Sequence, residues 1–284
     1  MLKDIRELRD DPEAYQAELQ RRWTGLLSYR YIGRNHGSMN TGPADNTVTL
    51  RRDMRNAAGG ILVAPLSISS PEGDVGSDLV TVPNPVIHSC QVLDDARDVT
   101  RIEVVASEVL HSGSRMGYSR SKIVDADNPA RVIAYTEGQG ARIGTVPEGL
   151  EKMPEDRLEI VDSPDLPPLW EVFGASRRKD GHWVLPELEA ELASPDAALH
   201  IGPQHVVLET AAIDYAADVV GTDKLQIEAW HVMFLARGKI GPFRVDGEAA
   251  RGQGDRVGAR LVLHDEGNEG RAVTAASALF RVVG

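Results

Sequence analysis

Residues 203–220 read PQHVVLETAAIDYAADVV. The stretch is apolar on almost every side of a helix, yet it carries His205, Glu209, Asp214 and Asp218. A helix apolar all round is wrapped by the rest of the fold rather than laid on its surface. Buried carboxylates are costly unless they have a partner or a task. At helical spacing Asp214 and Asp218 lie about 40° apart, and His205 and Glu209 form a second stripe, also about 40° wide, on the opposite side. The fold therefore has to supply two coverings for one helix.

Working outward, strand-like runs follow the helix at 224–237, 241–251, 255–264 and 271–283, separated by turn-forming residues. The first half has the same order. A short strand at 47–52 precedes AAGGILVAPLSI (57–68), which reads as a helix beginning near Gly59-Gly60 with Pro65 in its first turns. Runs at 86–93, 99–111, 115–125 and 131–143 come next. Residues 105–144 align with 245–284 at a constant offset of 140 with no gap. Val105 meets Val245, Glu108 meets Glu248, Arg120 meets Arg260, Asp125 meets Asp265, Asn128 meets Asn268, Arg131 meets Arg271 and Gly144 meets Gly284. The turns SGS/GQG and ADNP/EGNE fall in register, so the chain reads as an internal duplication. One helix and an antiparallel run of strands per copy imply an α+β protein with a curved sheet around each helix, the second copy completing the burial of the first.

The remaining segments divide the chain. Asp11-Pro12 is an N-cap and first-turn pair for an N-terminal helix. Residues 146–181 are rich in proline and acidic residues and read as an extended linker, with Leu169-Trp170 and Val172-Phe173 as anchors. The expected domains are 1–145, the linker 146–181, and 182–284. A net charge of −12 argues against nucleic acid as a partner. No apolar run is long enough for a membrane span, and the charged N-terminus is unlike a signal peptide, so a cytoplasmic location is expected. Cys90 is the single cysteine, and no histidine spacing suggests a metal.

These stretches, above all VTRIEVVASEVLHSGSRMGYSRSKIVDADNPARVIAYTEGQGARI (99–143) and HVVLETAAIDYAAD (205–218), resemble the hotdog superfamily in its tandem form. They look most like acyl-CoA thioesterases of the phenylacetate-degradation type. The resemblance implies two tandem hotdog folds forming a pseudo-dimer, associating further as a homo-oligomer. It implies hydrolysis of a small-molecule acyl thioester without a cofactor, coenzyme A entering as part of the substrate. In that family a His-Gly-Gly segment opens the helix, a glycine N–H polarises the thioester carbonyl, and a carboxylate nine residues after the His attacks or activates water. Helix N-termini and carboxylates suit those roles.

Carried onto this chain, the pattern splits. Gly59 and Gly60 stand at the glycine pair of the first half, with Ser67 at the carboxylate position. His205 and Asp214 have the nine-residue spacing in the second half. The resemblance thus implies one composite site, with Gly60 and Asp214 catalytic and Asn56, Gly59, Asp218, His205, Glu209 and Ser67 near substrate. Plainer readings stand beside it. Gly59-Gly60 can serve close packing, and His205 and Glu209 can satisfy each other at i,i+4. A non-catalytic acyl-thioester or lipid-binding protein, or an acyl-CoA hydratase or dehydratase, fits the same fold.

Overall fold

The computed structural model describes residues 2–34, 41, 45–70 and 82–284. Two N-terminal helices open the chain, α1 (Pro12–Gly25) and α2 (Leu27–Ile32). Asp11 caps α1, accepting from Ala14 N at 3.1 Å, with Pro12 in the first turn where no N–H is needed. The first half then runs β1 (Thr47–Thr49), α3 (Val63–Ser69), β2 (Val82–Val92), β3 (Arg101–Ser112), β4 (Met116–Asp125) and β5 (Asn128–Ile143). After the connecting segment come α4 (Leu169–Val172), β6 (Ser176–Arg177), β7 (Trp183–Leu185) and a two-stranded ribbon of β8 (Ala193–Ser194) and β9 (Ala198–Leu199). The second half closes with α5 (Ile201–Val220), β10 (Leu225–Phe234), β11 (Phe243–Arg251), β12 (Arg256–Asp265) and β13 (Arg271–Val282).

The long strands form one sheet of order β1-β3-β4-β5-β2-β10-β13-β12-β11-β7-β6. Read outward from the β2–β10 seam, the two sides are mirror images in strand order. The seam itself is antiparallel, with Cys90 opposite Trp230. At the offset of 140 the β4–β5 and β12–β13 registers repeat, while those of β3–β4 and β11–β12 coincide in mid-strand and slip by one beyond the bulges in β3. Glu108 lies opposite Arg120 and Glu248 opposite Arg260, and each pair is an ion pair. Alternation sets the faces: in β12, Val257, Ala259, Leu261 and Leu263 point inward while their neighbours are more exposed. Each half is a curved antiparallel sheet around one helix, so the chain is α+β and a tandem hotdog.

The helices α3 and α5 meet between the halves. The first three turns of α5 are almost wholly buried, and the helix emerges beyond Ile213, with Asp218 and Val219 exposed. The all-round apolarity of 203–212 thus reports a helix covered by its own sheet on one side and by the other half on the next.

One expectation is corrected here. Helix α3 begins at Val63, not near Gly59-Gly60, because residues 56–60 close a turn of their own. Equivalent turn residues have also diverged. Asp125 accepts from Asp127 N in a local turn, whereas buried Asp265 accepts from the backbone N–H groups of Lys239, Ile240 and Gly241.

Candidate active site

The turn before α3 is built on Asn56. Its Oδ1 accepts from Ala58 N at 2.9 Å and Gly60 N at 3.0 Å, and its own N–H donates to Gly60 O. Gly59 sits at φ +82°, a backbone region that favours glycine. The Arg55 guanidinium ties the turn down by donating to the carbonyls of Gly59, Ala96 and Val99. With Oδ1 held by the turn, Asn56 Nδ2 makes a long 3.4 Å contact to Gln226 Oε1.

Leu62, the residue before α3, has no side chain able to cap a helix, and no capping bond comes from it. The cap comes from the other half. Glu209 of α5 accepts from Val63 N at 2.6 Å through Oε1 and from Ala64 N at 2.8 Å through Oε2. Pro65 follows at the third helical position, where its missing N–H costs nothing. Glu209 is 2% exposed. Burial pushes its carboxyl up to about 7, against the pull of the two backbone N–H groups toward the ionised form.

Glu209 stands in the wall of a cavity of about 440 Å³ between the halves. Helix α5 contributes Val206, Glu209, Thr210 and Ile213, spaced i, i+3, i+4 and i+7 and so on one face. The first half contributes Arg52, Arg55, Asn56, Leu62 and Ala64, and the connecting segment contributes Leu166, Pro168, Leu169 and Trp170. The lining thus combines a carboxyl raised to about 7 and a fixed amide with apolar side chains, and Asp53 and Asp223 join the two arginines among its charged groups. No described histidine lines it. Among the described residues no group of three or more His, Cys, Asp or Glu is placed to hold a metal ion.

The structure does not bring Gly60 and Asp214 together. The Gly60 N–H is spent on Asn56, and a Cβ at Gly60 would lie 2.0 Å from Gln226 Oε1, so this glycine serves close approach. Asp214 lies five residues beyond Glu209 and so about 140° around the helix. It accepts from Trp183 Nε1 at 3.0 Å and pairs with Arg177 at 3.2 Å. It is absent from the cavity lining, and Asp218 is exposed one turn further on.

His205 and Glu209 do not pair either. His205 is fully buried and accepts from Trp230 Nε1 at 3.0 Å through Nδ1, with the His88 ring edge-on at 5.4 Å. Burial first, then the neighbouring His88 and His200, hold it well below the ordinary histidine range. Ser67 is buried inside α3 with no hydrogen bond from its Oγ. Of the residues expected near substrate, Asn56 and Glu209 line the cavity; Gly59, Ser67, His205 and Asp218 do not. The reading of single stripes missed Thr210 and Ile213, although the i, i+3, i+4, i+7 spacing from Val206 was there to find them.

No family model matches the chain, and neither does any curated protein. Solved structures do. The tesB protein of Mycobacterium avium subspecies paratuberculosis superposes with a TM-score of 0.56 at 12% identity, covering 86% of this chain and 95% of that one. The acyl-CoA thioesterase II TesB2 of Mycobacterium marinum gives 0.55 at 13%, covering 87% and 96%. A candidate thioesterase from Novosphingobium aromaticivorans gives 0.53 at 12%, covering 88% and 100%. At these identities the shared property is the fold, along nearly the whole of each chain.

Proposed function

We propose that the chain hydrolyses small-molecule acyl thioesters, with coenzyme A as the carrier, in the cavity between its halves. The observation that carries this reading is Glu209, a buried carboxylate from one half seated on the helix start of the other at a cavity wall. A carboxyl near 7 is suited to exchange a proton at neutral pH. Structures of the same fold described as thioesterases support the choice of reaction. The narrower phenylacetate-degradation type has no support beyond the sequence resemblance.

In this reading a water lies between Glu209 and the thioester carbonyl. Glu209 takes its proton as the oxygen bonds to the carbonyl carbon. Asn56 Nδ2 donates to the oxygen that gains charge. As Glu209 becomes neutral it accepts more weakly from Val63 and Ala64, whose fixed N–H groups then favour negative charge developing beside them. The intermediate collapses with loss of the C–S bond, and the Glu209 proton passes to the thiolate. The products are a carboxylic acid and a free thiol.

A second reading has its own observation. Both Glu209 oxygens are already satisfied by α3, which suits a purely structural cap in a protein that binds acyl thioesters without cleaving them. A hydratase reading loses the histidine it needs, because His205 is held by Trp230 away from the cavity. Thiol release from a panel of acyl-CoA esters, by wild type and Glu209→Gln, decides. Hydrolysis lost in the variant is the expected result. Equal turnover, or none by wild type, removes the assignment.

A further inference from the structure

We infer that Trp170 closes the acyl end of this cavity and limits the substrate to short and medium acyl groups, and that Trp183 and Asp214 hold it there. The inference rests on the cavity being the acyl site of the proposed reaction.

The residues of the connecting segment that line the cavity, Ser163, Pro164, Leu166, Pro168, Leu169 and Trp170, cross it from one half to the other. The segment is pinned on both sides. Arg52 N donates to Asp162 at 2.9 Å before the crossing, and at its far end Leu169, together with Phe173 beyond it, is buried in the core, at 2% and 1% exposed. Between these anchors the short helix α4 packs on α5. Trp170 is therefore part of the wall, and its carbonyl accepts from Ala175 N at 2.9 Å.

Its ring is set by a second tryptophan. Trp170 and Trp183 meet edge to face, with centroids 5.1 Å apart at 67°, an arrangement that prefers one relative orientation. Trp183 in turn donates from Nε1 to Asp214, whose carboxylate Arg177 holds at 3.2 Å. On α5, Ile213 faces the cavity while Asp214, the next residue, points to Trp183. One helical turn thus supplies both the floor of the acyl end and the anchor of its wall.

The cavity is half-open and of about 440 Å³, near the small end of ligand cavities. Asp214 is a positioning residue here. It acts through Trp183 and touches no reacting atom.

The test uses the full chain and a series of S-alkyl-CoA thioethers, which cannot be hydrolysed. Their affinities are measured by calorimetry as the alkyl group lengthens, for wild type, Trp170→Ala, Trp170→Leu and Asp214→Asn. In wild type the affinity should rise about fourfold per methylene and then stop or fall once the chain reaches Trp170. In Trp170→Ala the rise should continue through longer chains. Trp170→Leu, which keeps a large apolar group, should fall between the two and covers the case where the alanine variant does not fold. Asp214→Asn should move the break in the same direction by less. The same break in every variant, or no binding of any thioether by wild type, overturns the inference. A break that moves in a protein that hydrolyses no acyl-CoA leaves it standing and removes only the proposed reaction.

Discussion

The two central helices begin in opposite ways. Helix α3 takes its cap from the other half and opens on a cavity. Helix α5 is capped by its own preceding residue, and the N-terminal helices close over it. His200 Nδ1 accepts from Gly202 N at 3.3 Å, which leaves the neutral imidazole's proton on Nε2 facing Tyr29 Oη at 3.1 Å. Ser28 Oγ lies 2.9 Å from the same Nδ1. Gly202 is so tightly covered that a Cβ there would stand 2.2 Å from Ser28 Oγ. Duplication supplies two helix starts, and α2 has filled one of them. What separates a candidate site from a core here is therefore a local packing choice rather than the fold.

The sharpest break in that comparison is catalytic. Glu209→Gln should lower acyl-CoA hydrolysis by about 10²- to 10⁴-fold, the range for removing a general base. His200→Gln, at the closed start, should leave turnover close to wild type while lowering the melting temperature. If His200→Gln proves the more damaging to turnover in a protein that remains folded, the two starts have been assigned the wrong way round.

The next effect is a difference in sign. Glu209 is raised from 4.5 to about 7 in the fold by burial. Its folded pKa exceeds its unfolded one, so its contribution is full below pH 4.5 and is lost as pH rises toward 7. His200 is pulled from 6.5 down to about 3, by burial first and then by Arg237. Its contribution is full above pH 6.5 and is lost as pH falls toward 3. Buried His88 acts in the same direction as His200. Melting temperature against pH should therefore decline less between pH 4.5 and 7 in Glu209→Gln, and less between pH 6.5 and 3 in His200→Gln, each relative to wild type. Hydrolysis should rise with pH through about 7 as Glu209 ionises, and this limb should vanish in Glu209→Gln.

These expectations turn on residues that the sequence exposes unevenly. The strands and the duplication were legible because alternation and turn residues act locally, and the offset of 140 carries the register of the second hairpin of each half with it. Both polar stripes of α5 were legible too. Which stripe meets the other half was not, because that depends on where α3 begins. The glycine pair suggested a start near Gly59, but Asn56 folds both glycines into a turn, and the free N–H groups appear three residues later at Val63 and Ala64. That displacement selects Glu209 and leaves Asp214 to Trp183. The role of Trp170 required knowing that the connecting segment crosses the cavity, which neither proline content nor charge specifies.

Gly202→Ala should cost about 1–3 kcal/mol, because the new methyl meets both Oγ and Cβ of Ser28, at 2.2 and 2.6 Å, within a packed helix pair. Ser28→Gly in the same chain should recover part of that loss. Gly60→Ala, before the open start, meets the far end of the Gln226 side chain, which can turn aside more easily. Its cost in chemical denaturation should be the smaller of the two. Equal costs would mean that the start of α3 is as closely packed as that of α5.

The smallest effect tests what the halves still share. Glu108 with Arg120 and Glu248 with Arg260 occupy matching positions in the two hairpins and are exposed on the sheet. An exposed ion pair contributes about 0.2–1 kcal/mol, and in a chain of this size that is a shift of at most a few degrees in melting temperature. Glu108→Gln and Glu248→Gln should therefore give small shifts that agree with each other and shrink together in high salt, where exposed pairs are screened. A large shift on one side alone would show that the hairpins, like the helix starts, have taken on different duties. Equal small shifts would show that the hairpins still match at these positions, although their turns differ at Asp125 and Asp265.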